Sequence, residues 1–188
     1  MKVILGILSV LTTTLALQAQ TPARPDPNTP PPAAATANPV VWSSRQVYDR
    51  QAKYLIAAAE EMPDSKYIYK PTADQWTFAR IVSHVAQSNG GVCSALSDTP
   101  APATTKVPET ATKAELVAAL KASIDYCDPI MANLTDAKLA DVVSFHGGKT
   151  PRARALIEIV ADLEDHYSQM ASYLRLNSMM PPSAAPKK

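Results

Sequence analysis

The sequence predicts an all-α protein built as a four-helix bundle, and three observations lead to this prediction. Four segments between residues 44 and 174 repeat apolar side chains at three- and four-residue steps, the period of a half-buried helix. Each segment follows a typical helix-start signal. The chain has only 5 glycines among 188 residues and few β-branched clusters, which disfavours an all-β fold. Because amphipathic helices bury their apolar faces against one another, we expect a bundle.

The first nineteen residues are predicted to be a signal peptide. Lys2 gives a short positive region, the apolar run Val3 to Leu17 follows, and small Ala19 offers a cleavage point. An uncleaved N-terminal anchor is the alternative. We therefore expect export to the periplasm or outside the cell, and no stable membrane insertion of the mature chain.

Proline dominates the next segment. Residues 20–40 hold 7 of the 17 prolines among Ala, Thr and Asn, and such a segment buries too little apolar surface to order itself. We interpret 20–40 as a disordered linker, 41–182 as the helical bundle and 183–188 as a disordered tail.

Helix starts are predicted from side chains that can cap backbone N–H groups. Three pairs have the spacing of a capping box, and a fourth site has a Thr cap before a proline at the first helical position. These are Ser43 with Gln46, Thr72 with Gln75, Thr112 with Glu115, and Thr150 with Pro151. The predicted helices begin near Ser44, Ala73, Thr112 and Pro151.

Each predicted helix carries one apolar stripe. Leu55, Ile81, Leu120 and Leu163 represent the four stripes, and Gly90–Gly91 is a predicted bend in the second helix. The proline-bearing stretch from Ser97 to Ala111 is too long for a tight turn. It predicts an up-down-type bundle with a long crossover between the second and third helices.

The charge balance excludes one class of partner. With 18 basic and 17 acidic residues the formal net charge is +1, and no basic stripe is present. A nucleic-acid-binding protein would show such a stripe, so we expect no nucleic-acid partner.

The two cysteines lie on apolar stripes of different helices, Cys93 on the second and Cys127 on the third. An even count in an exported chain favours a disulfide. Two buried thiols that pack as small apolar side chains are the alternative.

Histidine placement suggests a metal site. His166 lies on the stripe of the fourth helix, and Asp162 lies one turn earlier on the same face. His84 borders the stripe of the second helix, so two facing helices can bring all three residues to one divalent cation, such as Zn, Fe, Ni or Mn. A hydrogen-bonded core histidine and a solvent-facing Asp162 are the alternative. His146, in the predicted loop before the fourth helix, is either an exposed loop residue or a contact or fourth ligand at the cavity mouth.

Two stretches resemble the DinB-like family of four-helix bundles. Tyr67 to His84, which contains Lys-Pro-Thr-Ala-Asp-Gln-Trp, resembles the family's segment before and into its second helix. Asp162 to Pro182, with His166 followed by Tyr-Leu-Arg and a Pro-bearing exit, resembles its fourth helix. The resemblance spans nearly all of 41–182.

The resemblance implies a divalent metal held by three histidines, with His84 and His166 at two of the three positions. Asp162 stands where the family usually has the third histidine, so the ligand set is either altered or degraded. Members often pair bundles into a homodimer, although no apolar stripe of this chain shows such a surface.

Functions known in the family include thiol-dependent transfer and isomerisation, and some members are described as metal-dependent hydrolases. We therefore expect a metal-dependent hydrolase or transferase acting on a small molecule whose identity, like its catalytic residues, the sequence leaves open. A non-catalytic exported binding or scaffold module with a degraded metal site is the alternative. The absence of an unambiguous general base beside His166 favours this alternative.

Overall fold

The computed structural model describes residues 32–186, and four long helices dominate this part of the chain. The elements are α1 (Ala33–Ala37), α2 (Pro39–Glu61), α3 (Phe78–Ser97), α4 (Lys113–Asn133), β1 (Val142–Phe145), β2 (Gly148–Pro151) and α5 (Arg152–Leu176). Among the described residues, one antiparallel hairpin of β1 and β2 is the only sheet. The predicted all-α bundle is therefore confirmed. The predicted signal peptide, linker residues 20–31 and the last two residues of the tail lie outside the described part.

The crossover between α3 and α4 has the predicted length and makes these two helices parallel. Asn89 donates to Ser123, and four residues further along both helices Cys93 is bonded to Cys127. Residues 98–112 thus return the chain along the bundle before α4 begins.

The first and last long helices are also parallel neighbours. Arg50 donates to Glu164 at 2.8 Å, and one turn further along both helices the rings of Tyr54 and Tyr167 stack with centroids 5.0 Å apart. Helix α3 runs against α5, because Arg152 at the start of α5 donates to the carbonyl of Leu96 at the end of α3. The four long helices therefore run up, down, down and up.

Two of the predicted helix starts are displaced. Helix α2 begins at Pro39 rather than near Ser44, so Ser43 and Gln46 lie inside it and form no capping box. The last residues of the predicted linker are consequently helical. Proline at the first helical position fits this start, since its missing N–H would have no helical partner.

The start of α3 shows that residues with the sequence spacing of a capping box can lie outside a helix. Thr72 donates to Gln75 at 3.2 Å, but both lie in a turn. The helix begins five residues after the predicted start, where Thr77 accepts the N–H of Arg80.

The other two predicted starts lie close to the observed ones. Thr112 and Glu115 form the predicted capping box of α4. Pro151 is the cap residue of α5 instead of its first helical residue, and Thr150 belongs to β2.

Helix α3 continues through Gly90 and Gly91, where the sequence predicted a bend. Gly90 instead lies against the crossover. A Cβ atom added to Gly90 would lie 2.6 Å from Oγ1 of Thr105, a buried residue of the crossover. The same addition at Gly91 meets no atom within 4 Å. The glycine at position 90 is thus the one that allows the crossover to lie against α3.

Arg152 fastens α5 to the end of α3. Its side chain is 9% exposed and donates to the carbonyl groups of Ala95 and Leu96, and to Asp98 at 2.7 Å. The last carbonyls of a helix have no partner within the helix, so a buried guanidinium both satisfies them and fixes the junction.

The predicted disulfide is present in the structure. Cys93 and Cys127 are bonded, both side chains are fully buried, and they lie 34 positions apart in the sequence. The bond therefore joins α3 to α4 inside the core. No described helix is long and apolar enough to cross a membrane.

Candidate metal centre and adjoining cavity

The antiparallel pair α3 and α5 brings the three predicted ligand residues together. Nε2 of His166 lies 3.3 Å from Oδ1 of Asp162, and Nε2 of His84 lies 3.6 Å from the same oxygen. Among the described residues, this is the one group of at least three His, Cys, Asp or Glu side chains whose donor atoms all lie within 4.8 Å of one another. The sequence prediction of which side chains would converge agrees with this arrangement.

The donor spacing suits a single divalent cation. Ligand atoms about 2.1 Å from one tetrahedral zinc ion lie about 3.4 Å from each other. The observed 3.3 and 3.6 Å separations are close to that value. The set is two imidazoles and one carboxylate, which suits Zn, Fe(II), Ni or Mn and leaves positions for water or a ligand.

The site is buried at one end and open at the other. The side chain of His166 is 8% exposed, that of Asp162 19%, and that of His84 41%. A small molecule would therefore reach the three candidate ligands from the side on which His84 lies. Nδ1 of His166 is buried without a hydrogen-bond partner among the described residues, so the protein itself leaves one nitrogen of this imidazole unsatisfied.

Opposing effects set the charge state of Asp162. Burial alone would raise its pKa, but the neighbouring imidazoles of His166 and His84 outweigh burial and hold the pKa well below its usual range. The carboxyl group is therefore ionised and available as a ligand across the ordinary pH range.

Trp76 forms the wall beside both histidines. Its ring stacks on that of His166 with centroids 5.9 Å apart and meets the ring of His84 edge-on at 5.1 Å. The guanidinium of Arg80 lies 4.4 Å from the centroid of the Trp76 ring. The indole therefore restricts both imidazoles and shields them on one side. The sequence supplied Trp76 only as part of a family motif, because its ring contacts depend on where α5 packs.

A cavity of about 830 Å³ adjoins the open side of the site, between α3 and the hairpin. His84 lines it, together with Gln87 and Ser88 of α3 and residues 142–146 of the hairpin. This volume lies within the range of small-molecule sites in proteins, about 300–1,000 Å³. A second depression of about 660 Å³, between Trp76 and Pro108, also reaches His84.

His146 lies in the wall of the larger cavity and not in the metal-ligand group. It occupies the hairpin turn with φ 49°, followed by Gly147 with φ 76°, and its Nε2 lies 3.7 Å from Oε1 of Glu158. A fourth-ligand role therefore has no geometric support among the described residues. Contact with a molecule in the cavity stays a prediction.

The hairpin itself was missed in the sequence, where residues 145–148 were interpreted as a loop. The signal was available: four residues favouring a strand, then His-Gly, then a second short run. Because the hairpin supplies a cavity wall, its residues Ser144 and Lys149 were missed with it.

Comparison with known proteins places the chain in a family. The family model of the DinB superfamily matches residues 48–170, about two thirds of the sequence. The chain belongs to the DinB superfamily. No curated protein matches it in sequence.

Solved structures share the fold of this DinB-superfamily chain at low sequence identity. A crystal structure of a DinB-like protein from Bacillus cereus ATCC 10987 has a TM-score of 0.59 at 16% identity, covering 75% of this chain and 95% of that one. A conserved protein from Enterococcus faecalis has a TM-score of 0.57 at 18% identity, covering 73% and 96%. At such identities the likeness concerns the fold alone.

Proposed function

We propose that His84, Asp162 and His166 hold a divalent cation, and that the chain is a metal-dependent hydrolase or transferase acting on a small molecule. The observation that carries this proposal is the convergence of three donor atoms at a cation's spacing beside an open cavity. Membership of a superfamily in which many proteins bind metals through the matching positions supports it.

Each residue of the group has a distinct part in this proposal. Asp162 supplies the negative charge, and its lowered pKa keeps that charge in place. His166, buried under Trp76, fixes the inner side, while His84 faces the cavity. When bound, a divalent cation supplies Lewis acidity and lowers the pKa of a water or thiol that it binds.

Export is part of the same proposal and favours hydrolysis over thiol-dependent transfer. The predicted signal peptide and the core disulfide support an oxidising compartment. Low-molecular-weight thiols act mainly in the reducing cytosol, whereas water is available everywhere.

A non-catalytic binding module is the second candidate, and one observation favours it. Asp162 already lies close to both imidazoles, so a His-Asp-His cluster can satisfy its own charges without a cation. Loss of the family's third histidine would then have turned a metal site into a structural ion pair.

Elemental analysis of protein purified without chelator separates the two candidates. We expect about one equivalent of Zn, Ni, Fe or Mn in the wild type and less than a tenth of that in His84→Ala and Asp162→Ala, because two remaining ligands bind a divalent cation poorly. His146→Ala is the matched control, since this histidine lies outside the ligand group and should leave the metal content unchanged.

Asp162→His restores the three-histidine set typical of the family and should also retain metal. A wild-type protein that stays metal-free after incubation with Zn, Ni and Mn would contradict the enzyme proposal. It would support the non-catalytic binding module in which His84, Asp162 and His166 form a structural ion pair.

A further inference from the structure

The larger cavity has two unlike walls. On the α3 side lie His84 and polar residues, and on the hairpin side exposed Val142 presents apolar surface on the same strand face as Ser144. In the hairpin register Ser144 of β1 faces Lys149 of β2, and both residues line the cavity. One end therefore carries the candidate metal centre and the other a hydroxyl and an ammonium group.

The charges of this cavity are not balanced. Asp98 is the carboxylate of the lining, and Arg152 already pairs with it at 2.7 Å. Lys149 donates to Oγ of Ser144 at 2.6 Å and forms no salt bridge with a described carboxylate. Within the cavity lining, the negative charge of Asp98 is thus neutralised by Arg152, whereas the positive charge of Lys149 contacts only the neutral hydroxyl of Ser144.

The Lys149–Ser144 pair has donors left for a ligand. Lys149 has three N–H groups and donates one of them to the hydroxyl oxygen of Ser144. The other two N–H groups and the O–H of Ser144 remain available as donors. Two donors side by side, one of them charged, match the two oxygens of a carboxylate.

We propose that the cavity binds a small organic carboxylate, whose anionic group accepts hydrogen bonds from Lys149 and Ser144. The apolar body of the ligand lies along Val142, which shares the face of Ser144, and its other end points towards His84. This inference names the ligand class of the proposed metal site, and rests on that proposal only for what happens at the His84 end.

Benzoate and its neutral analogue benzamide are suitable probes, because they share shape and differ in charge. The titration uses chelator-treated protein, so that benzoate cannot bind through a metal, and is followed by the amide resonances of residues 142–149. We expect benzoate to bind about threefold more tightly than benzamide, since an ion pair with an exposed lysine contributes only modestly to affinity. The preference should fall as the salt concentration rises.

Three variants assign the effect to the proposed group. Lys149→Gln should reduce benzoate affinity about threefold and leave benzamide affinity unchanged, while Lys149→Arg should retain the preference. Lys138→Gln is the matched control, an exposed lysine that does not line this cavity. Equal binding of benzoate and benzamide, or an unchanged preference in Lys149→Gln, would overturn the inference.

The two proposals fail separately. A protein that never takes up metal but prefers benzoate through Lys149 loses the metal proposal and keeps the carboxylate site. Stoichiometric metal together with equal binding of benzoate and benzamide would keep the metal proposal and overturn the carboxylate site. Lys149 is exposed in the hairpin, so its substitution should not unfold the bundle, and the thermal transition of each variant verifies this.

Discussion

Asp162 carries most of the chemistry of the site at the scale of single residues. It is the one carboxylate between two imidazoles, and their proximity favours its ionised form. Its contribution to stability should therefore depend on pH in a defined direction, independently of any bound cation.

In chelator-treated protein at pH 5, we expect Asp162→Asn to lower the free energy of unfolding by about 1–3 kcal/mol, because the buried His166 loses its charged partner. Folding lowers the pKa of Asp162, so its stabilising effect is complete above the unfolded value of about 3.9 and is lost as the pH falls through the folded value. The difference between wild type and variant should thus shrink below about pH 4. Urea unfolding at pH 5, 4 and 3 measures it.

Asp165→Asn provides the matched control on the same helix. Asp165 is exposed and accepts one hydrogen bond, from Gln169. Its substitution should change stability by less than about 0.5 kcal/mol. An equal loss in both variants would mean that Asp162 has no special electrostatic environment.

At the scale of elements, the sequence predicted the helices better than their boundaries. Apolar periodicity placed His84, Asp162 and His166 on faces that do meet, because a helix fixes the relative direction of side chains one turn apart. The predicted start of α3 was wrong because the side chains of Thr72 and Gln75 bond to each other in a turn and cap no backbone N–H. The hairpin and the stacking of Trp76 on His166 depend on how elements pack, which a helical period does not encode.

The disulfide acts at this scale too, since it joins α3, which carries His84, to α4. Replacing both Cys93 and Cys127 by Ala should lower the free energy of unfolding by about 4 kcal/mol, because the unfolded chain regains the freedom of a closed 34-residue loop. The corresponding fall in Tm is about 8–16 °C for a chain of this size, measurable by calorimetry.

The same wild-type protein with its disulfide reduced in denaturant, then alkylated, should lose at least as much stability. Retention of the wild-type Tm by either form would contradict the prediction.

The predicted export is tested by the intact mass of the chain recovered from the periplasm, because cleavage after Ala19 would leave Gln20 as the first residue.

For the whole molecule, the crossover decides the topology. It packs on α3 where Gly90 leaves room for Thr105, and it returns the chain so that α3 and α4 run in parallel. The two adjacent glycines, which the sequence predicted to bend the helix, therefore differ in role: Gly90 makes room for Thr105, and Gly91 faces open space.

Gly90→Ala should lower the free energy of unfolding by about 1–3 kcal/mol, because the new methyl group would overlap the buried Thr105 side chain. Gly91→Ala should raise it by up to about 1 kcal/mol, since alanine favours a helix and this position is open. Chemical denaturation of both variants measures the pair. Equal and same-signed effects would show that the crossover does not press on α3.

The parallel pairing of α2 with α5 has a consequence for how the chain is made. Arg50 and Glu164 are 114 positions apart in the sequence, so the part of α2 that packs on α5 stays uncovered until α5 has been synthesised. During synthesis, every intermediate that ends before residue 152 lacks this partner, and contacts between such distant segments form late. The His-Asp-His group therefore forms only after α5 has been synthesised, late in the folding of the bundle.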